Sequence, residues 1–484
     1  MSVRGHRTIA IVLLVLGVLG GVFVYRHLFR TDVPVFASDE DQFLFGSIGT
    51  EESEGIPYWM WLVLPRIFPE YLPAPGGYAS LGVLSKDGRE MPIGFSKVTI
   101  GYERVGINCA LCHTGSVRLR PDDPPVVVPA APGHELAMPQ YLRFLFACAS
   151  DPRFTADTIL AEVAKNYRLP IPDRLLLRFL VIPSTRMRIL RLQERYSWAE
   201  DRTAAGRGRV DLLNAIKFGL LRQPADATVG NADMPPVWNL SAPAGRGYLW
   251  DGSNTSVQEV VVSSAIAAGS STTWIDRDIA KWKAGDPMAT SSLSRVQRYL
   301  SAVRPPAYPL AIDRHLTDAG AALFERHCGS CHSAGGPRTG TVIPIAEVGT
   351  DPSRLAAWTH TAADAYIGYS AGHPWSFSHF RPSTGYVAVP LDGLWRRAPY
   401  LHNGSVPTLD DLLTPAESRP SFFWRGYNVY DGRRVGFMTA GHDAQATGTA
   451  FDTAKPGNGN RGHLYGTSLV PDEKRALIEY LKTL

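Results

Sequence analysis

Two pentapeptides constrain this chain more than anything else in it: Cys109-Ala-Leu-Cys112-His113 and Cys328-Gly-Ser-Cys331-His332, whose histidines lie 332 − 113 = 219 residues apart. Cysteines three positions apart on a helical turn point their sulfurs the same way. The histidine that follows can swing its imidazole across the face the sulfurs define. That is the geometry needed to bond two porphyrin vinyl groups through thioethers and to supply one axial iron ligand. With 5 Cys and 13 His in 484 residues, chance places two such pentapeptides in roughly one chain per million. A thioredoxin-like motif needs a βαβ setting that neither copy has. A zinc site built from both cysteine pairs would have to close the long loop between them and would leave each adjacent histidine unexplained. The expectation is two covalent haem c groups, on Cys109 and Cys112 and on Cys328 and Cys331, with His113 and His332 as iron ligands. Only Cys148 remains, inside the apolar run YLRFLFACAS; it reads as an inert buried thiol, which leaves no pair for a structural disulfide.

Around the second motif, residues 317–327 read as an amphipathic helix. Ala319, Leu323 and Phe324 share a face, and Gly320 leaves room for a close neighbour. The C-terminal stretch 471–484 is a second helix, with Pro471 at its start, acids in its first turn, and Leu477, Tyr480, Leu481 and Leu484 on its apolar side. The two could cross and clamp a haem. Before the first motif, residues 76–106 show strand-like pieces and turns, so that motif follows loop or strand. The aromatic run 56–64 reads as core packed against the haem, interrupted by Pro65. Helical patterns continue at 138–149, 210–221 and 257–268. In the stretch 172–201, six arginines from Arg174 to Arg195 over an apolar stripe read as a solvated helix face in preference to a docking face for an acidic partner. Pro305-Pro306-Ala-Tyr-Pro309 is a stiff linker.

At the N-terminus, residues 8–25 carry no charge and are flanked by Arg4, Arg7, Arg26 and Arg30. As a helix they would span about 27 Å, close to bilayer thickness. The nearest small-x-small site, Val35-Phe36-Ala37, lies far downstream for signal cleavage. The expected organisation is a membrane anchor and tether (1–37), an embellished first haem domain (38–304), the linker (305–312) and a second haem domain (313–484). The fold class expected is mainly α: two cytochrome c-like haem domains with long loops, preceded by an N-terminal transmembrane helix. The haem domains would lie in the periplasm, on the cytoplasmic membrane. Hydrophobic content of 45% with 19% charged residues is ordinary globular composition, and a net charge of +4 without basic blocks points away from nucleic acid.

The helix with Gly320 and Phe324 before its C-x-x-C-H, together with the Tyr480-Leu481 terminal helix, resembles a class I cytochrome c domain. Arg397-Ala-Pro-Tyr400-Leu-His402-Asn-Gly404-Ser-Val-Pro-Thr408-Leu is similar to a signature segment of the bacterial di-haem cytochrome c peroxidase superfamily. With Trp238-Asn239, Trp250-Asp251-Gly252 and Asn460-Arg-Gly462-His463, the chain looks closest to the rubber-oxygenase-like branch. That resemblance implies a mostly helical two-haem body with one reactive haem and one six-coordinate haem. The chain is shorter than a rubber oxygenase.

A filled sixth position favours electron transfer, and an open one favours oxygen or peroxide chemistry. For the second haem the candidates are His402, Met438, His442 and His463. His463 is preferred, because it follows the glycine-rich run 457–462 and the resemblance favours it. For the first haem, His134 and Met138 are the nearest candidates. Neither has a persuasive setting, so the site reads as open, with Trp238, Trp250 and Asn254 as its distal, catalytic surroundings. The function expected is a di-haem oxidoreductase using peroxide, dioxygen or an organic substrate at haem 1. Haem 2 would take electrons from a redox protein or a quinone-linked donor. The rival is an electron carrier with both irons six-coordinate.

Overall fold

The stretch before the first motif is a β-hairpin. Phe95–Ile100 and Tyr102–Ile107 pair antiparallel about Gly101, which takes the positive φ that the tight turn requires. Their β-branched residues Val98, Thr99, Ile100, Val105 and Ile107 suit a pleated, half-buried surface. Ile56–Pro57 adds to one edge and Thr31–Asp32 to the other, making a four-stranded sheet. A computed structural model describes residues 11–15, 17–18, 20–22, 25–240, 246–284 and 291–484.

This sheet corrects the expectation of a mainly α fold. The chain is 45% helix and 11% strand, and the strands are what deliver the first motif. The expected N-terminal transmembrane helix is corrected as well. Among the described residues no helix is long and apolar enough to cross a membrane, and part of 8–25 lies outside those residues. After that stretch the chain enters a π-helical turn, Tyr25–Phe29. The Arg30 carbonyl then accepts from Gly101 N at 2.7 Å, and Thr31–Asp32 joins the sheet.

Three large hydrophobic clusters and a small one about Tyr427, Val429 and Ala444 form the interior of the described residues. The first gathers Trp61 and Leu64 from Tyr58–Ile67, Tyr141 and Leu145 from Met138–Ser150, and Ile189 from Ile182–Arg195. Pro65 sits inside the last turn of its helix rather than ending it. Trp61 stacks on Tyr78 at 4.4 Å and donates its indole N–H to the Tyr141 hydroxyl at 3.2 Å. Cys148 is fully buried there, and burial pushes its thiol up. The third cluster packs Val257–Ala268 and Thr272–Lys283 on Trp358, Tyr366 and Phe380. The second runs through both halves of the chain, joining Phe43 and Leu44 to Phe324, Leu477 and Leu481. The proline linker is packed too: Trp395 Nε1 donates to the Pro306 carbonyl at 2.9 Å.

The first and last helices of the second half cross. Arg314–Phe324, N-capped by Asp313, makes its most extensive helix–helix contact with Pro471–Leu481. A Cβ on Gly320 would lie 2.1 Å from the Ala476 carbonyl oxygen, so only glycine permits this approach. Phe324 and Tyr480 meet across it at 5.2 Å.

Candidate haem sites

Both motifs are built on short helical turns, reached by different routes. Asn108 ends the β-hairpin and caps Cys109–Cys112, its side chain accepting from Ala110 N and donating to the Gly46 carbonyl at 3.0 Å. Cys112 packs on the first cluster, and Cys109 on the second and third. The first motif therefore sits where the three cores meet. The second motif ends a long helix: Arg314–Phe324 runs through a π-helical turn, Glu325–Gly329, into Ser330–His332. Such turns recur at functional sites. Burial pushes the free thiols up, Cys109 to about 11 and Cys112 and Cys328 to about 12.

Each motif histidine is held the same way. His113 Nδ1 lies 2.9 Å from the Pro235 carbonyl oxygen, and His332 Nδ1 lies 2.7 Å from that of Val389. A carbonyl only accepts, so Nδ1 carries the proton and Nε2 is left with its lone pair, the tautomer a metal ligand needs. Burial lowers both pKa values, which favours the neutral ring.

The second motif opens on a cavity of about 220 Å³ lined by Cys328, Cys331, His332, Trp250, His402 and His463, among others. The His332 and His463 ring centres are 6.3 Å apart. Two imidazoles sharing one metal ion, each nitrogen about 2 Å from it, have ring centres roughly 6 Å apart. His463 Nδ1 is buried with no protein partner, and burial followed by the nearby His332 pushes its pKa down to about 4. Its loop is locked. Arg419 Nη1 donates to the carbonyls of Asn460 and Gly462 at 2.7 and 2.8 Å, and Nη2 donates to that of His463 at 3.2 Å. Gly462 has φ +76°, and a Cβ there would lie 2.2 Å from the Gly349 carbonyl carbon. The other candidates separate by position. His402 shares the cavity but stacks on Tyr386 at 3.8 Å. Met438 is exposed and His442 lies in open solvent.

Trp250, expected beside the first motif, lines the second cavity and donates its indole N–H to the Asp233 carbonyl at 2.8 Å. Trp238 is core, its indole N–H on the Asp392 carbonyl at 3.0 Å. Asn254 is buried framework: its amide donates to Glu259 at 2.9 Å and its carbonyl receives Ser256 N. His134 is buried beside Glu135, Nδ1 to Oε2 2.8 Å, and stacks on Phe437 at 3.7 Å. Met138 lines a separate cavity of about 290 Å³ that Ile107 also borders. Among the described residues no second histidine ring is paired with His113.

One short segment joins the two sites. Pro235 holds His113, and two residues earlier Asp233 receives Trp250 from the second cavity. Three residues beyond Pro235, Trp238 binds Asp392, in the loop whose Val389 holds His332. The two segments that hold the motif histidines are thus hydrogen-bonded to each other. Pro235, Val389, Arg419 and Tyr386 had no signal in the sequence. Backbone carbonyls carry no residue-type signature, and an arginine bound to carbonyls looks like any other.

The residues fit haem c. Two thiols, an Nε2 left free for iron and a second unclaimed imidazole face one cavity. Arg397, on its wall, is held down at about 10, first by burial, and binds the Asp392 backbone carbonyl rather than a carboxylate. Its charge is available for propionates.

Residues 385–425 match the family described as RoxA-like, cytochrome c-like, and this segment holds Tyr386, Val389, Arg397, His402 and Arg419. This match supports a likeness to the rubber-oxygenase-like cytochromes, a class that suggests haem c and oxidoreductase chemistry. Among individual proteins, it is 28% identical to the uncharacterized protein y4iJ of Sinorhizobium fredii over 78% of this chain and 77% of that one. It is 33% identical to the uncharacterized protein y4iM of the same organism, over 54% of this chain and 66% of that one.

Proposed function

We propose that the chain is a di-haem c-type oxidoreductase in which the second site stores and passes electrons and the first meets peroxide or dioxygen. The observation that carries this reading is the asymmetry of the axial positions. His332 faces His463 at 6.3 Å, whereas His113 has no paired ring among the described residues. Bound haem c supplies reversible one-electron chemistry at iron, with potential and reactivity set by the axial ligands. Cys109 and Cys112 hold the reactive group and Cys328 and Cys331 the storage group. The Pro235 and Val389 carbonyls keep His113 and His332 in the ligating tautomer. Arg419 holds His463 in place, and Arg397 meets propionate charge. Trp250 offers the electron route: its ring lines the second cavity, and its indole N–H binds the segment that holds His113. A redox protein or quinone-linked donor would reduce the second site. In this reading the body would lie on the periplasmic side of the cytoplasmic membrane, where haem attachment of this type takes place.

Two measurements test the reading. Mass spectrometry of the denatured protein should show two haem additions. Electron paramagnetic resonance of the oxidised protein should show one low-spin and one high-spin haem. Two low-spin haems would make the protein an electron carrier without a substrate site.

A further inference from the structure

We propose that the helical run 171–195 docks this protein peripherally on an anionic lipid surface. The run comprises Ile171–Leu176, the π-helical turn Leu177–Val181 and Ile182–Arg195. Its inner side is satisfied: Leu177, Val181, Ile182 and Ile189 are buried against the first core cluster. Its outer side is not. Ile171 is 70% exposed and Phe179 72%, and Leu175, Leu180 and Met187 are each more than half exposed. Ile171, Leu175 and Phe179 are spaced one helical turn apart, which makes a row rather than a scatter. Elsewhere beyond residue 37 the exposed large apolar side chains stand singly, such as Leu310 and Phe422, or in twos, such as Leu119 with Val126 and Leu464 with Val470. Single exposed side chains are ordinary, whereas a grouped row marks a contact surface.

The charges around the row decide what it contacts. Between residues 168 and 195 stand seven arginines against Asp173 and Glu194. Arg178 pairs with Asp157, and Arg186 and Arg188 bind the backbone carbonyls of Ala149 and Gly55. Arg168, Arg174 and Arg191 form no ion pair among the described residues. At the near end Trp59 and Tyr167 meet at 4.9 Å, the side-chain types that settle at headgroup depth. A helix of about this length, low in net hydrophobicity, with arginines beside a row of large apolar residues, is the pattern of a helix lying in a bilayer interface. Arginine stems can lie along the acyl region while their guanidinium groups stay among the phosphates.

A site-specific label tests this in the full-length holoprotein. Phe179→Cys is labelled with an environment-sensitive fluorophore, the native cysteines being buried or bonded to haem. The protein is then mixed with vesicles of phosphatidylcholine alone or with phosphatidylglycerol added. Emission should shift to the blue, and aqueous iodide quenching should fall, only on the anionic vesicles. High salt should reverse both changes. Arg174→Glu with Arg191→Glu should weaken partitioning at least about tenfold. Vesicle binding with the label still fully quenched by iodide would overturn the proposal, because other residues would then be carrying the protein. A label already shielded without vesicles would overturn it as well, since the chain's own N-terminal stretch, a second copy or another protein would then cover the row.

Discussion

The two C-x-x-C-H sites present the same motif on different supports. At both, a backbone carbonyl accepts a hydrogen bond from the histidine Nδ1–H and leaves the Nε2 lone pair free. At the first, the motif hangs from a β-hairpin, capped by Asn108 and set among three packed clusters. At the second, it ends a helix clamped at Gly320 and faces a loop that Arg419 holds in place. Only the second meets another imidazole across its cavity. The motif therefore specifies attachment and one ligand, while the partner across the iron is set by whatever loop the rest of the fold brings there.

The sharpest break of this comparison is to remove one attachment at a time. Cys328→Ala with Cys331→Ala should halve the haem content per chain, read by haemochrome absorbance, and should remove the low-spin signal. Cys109→Ala with Cys112→Ala should halve it too but remove the high-spin signal. Loss of the same signal from both variants would dissolve the asymmetry.

Next in size is the ligand itself. His463→Ala should convert the low-spin haem to high-spin without loss of haem, while His402→Ala, which removes a ring stacked on Tyr386, should leave the spin state unchanged. The reverse pattern would assign the sixth position to His402. Arg419→Ala should act through the loop, giving a partial spin conversion and a stability loss of about 2–4 kcal/mol in denaturant titration. Several charge-assisted bonds to carbonyls vanish and leave buried acceptors behind. Full low-spin signal in that variant would show that the loop holds its shape unaided.

The smallest effect probes the first side. Burial raises the Glu135 carboxyl, but His134 and then Arg396 beside it outweigh burial and bring it to about 2. A carboxyl lowered by folding contributes stability above its unfolded pKa and loses it as pH falls through the folded one. Glu135 should therefore contribute stability that is present above the ordinary carboxylate range, near pH 4.5, and is lost progressively as pH falls below it. Glu135→Gln should flatten the stability profile across that window. An unchanged acid limb would mean that other carboxylates govern it.

Local pattern carried a good deal of this structure. Gly320 announced a close helix crossing because a missing side chain is visible in sequence. The strand-like pieces before Cys109 are rich in β-branched residues and turn at Gly101. The mainly α expectation failed because several strands are only two to four residues long, too short to leave a period. That Trp250 lines the second cavity was not legible, because sequence distance to His113 and His332 says nothing about which cavity a ring enters. The six arginines read as a solvated face, since a helical pattern alone does not show that Ile171, Leu175 and Phe179 lie outside the core.

Covalent chemistry and short-range geometry were determined by the chain itself. A thiol three residues from a thiol and next to an imidazole makes a haem-attachment site wherever it folds, because its spacing is set by one helical turn. The tautomer of each histidine, the identity of the opposing imidazole and the hydrogen-bonded bridge between the loops were decided only in three dimensions. Each depends on a carbonyl or a ring supplied from dozens of residues or more away. Long-range approach is set by the packing of the three clusters, and packing is a property of the whole chain.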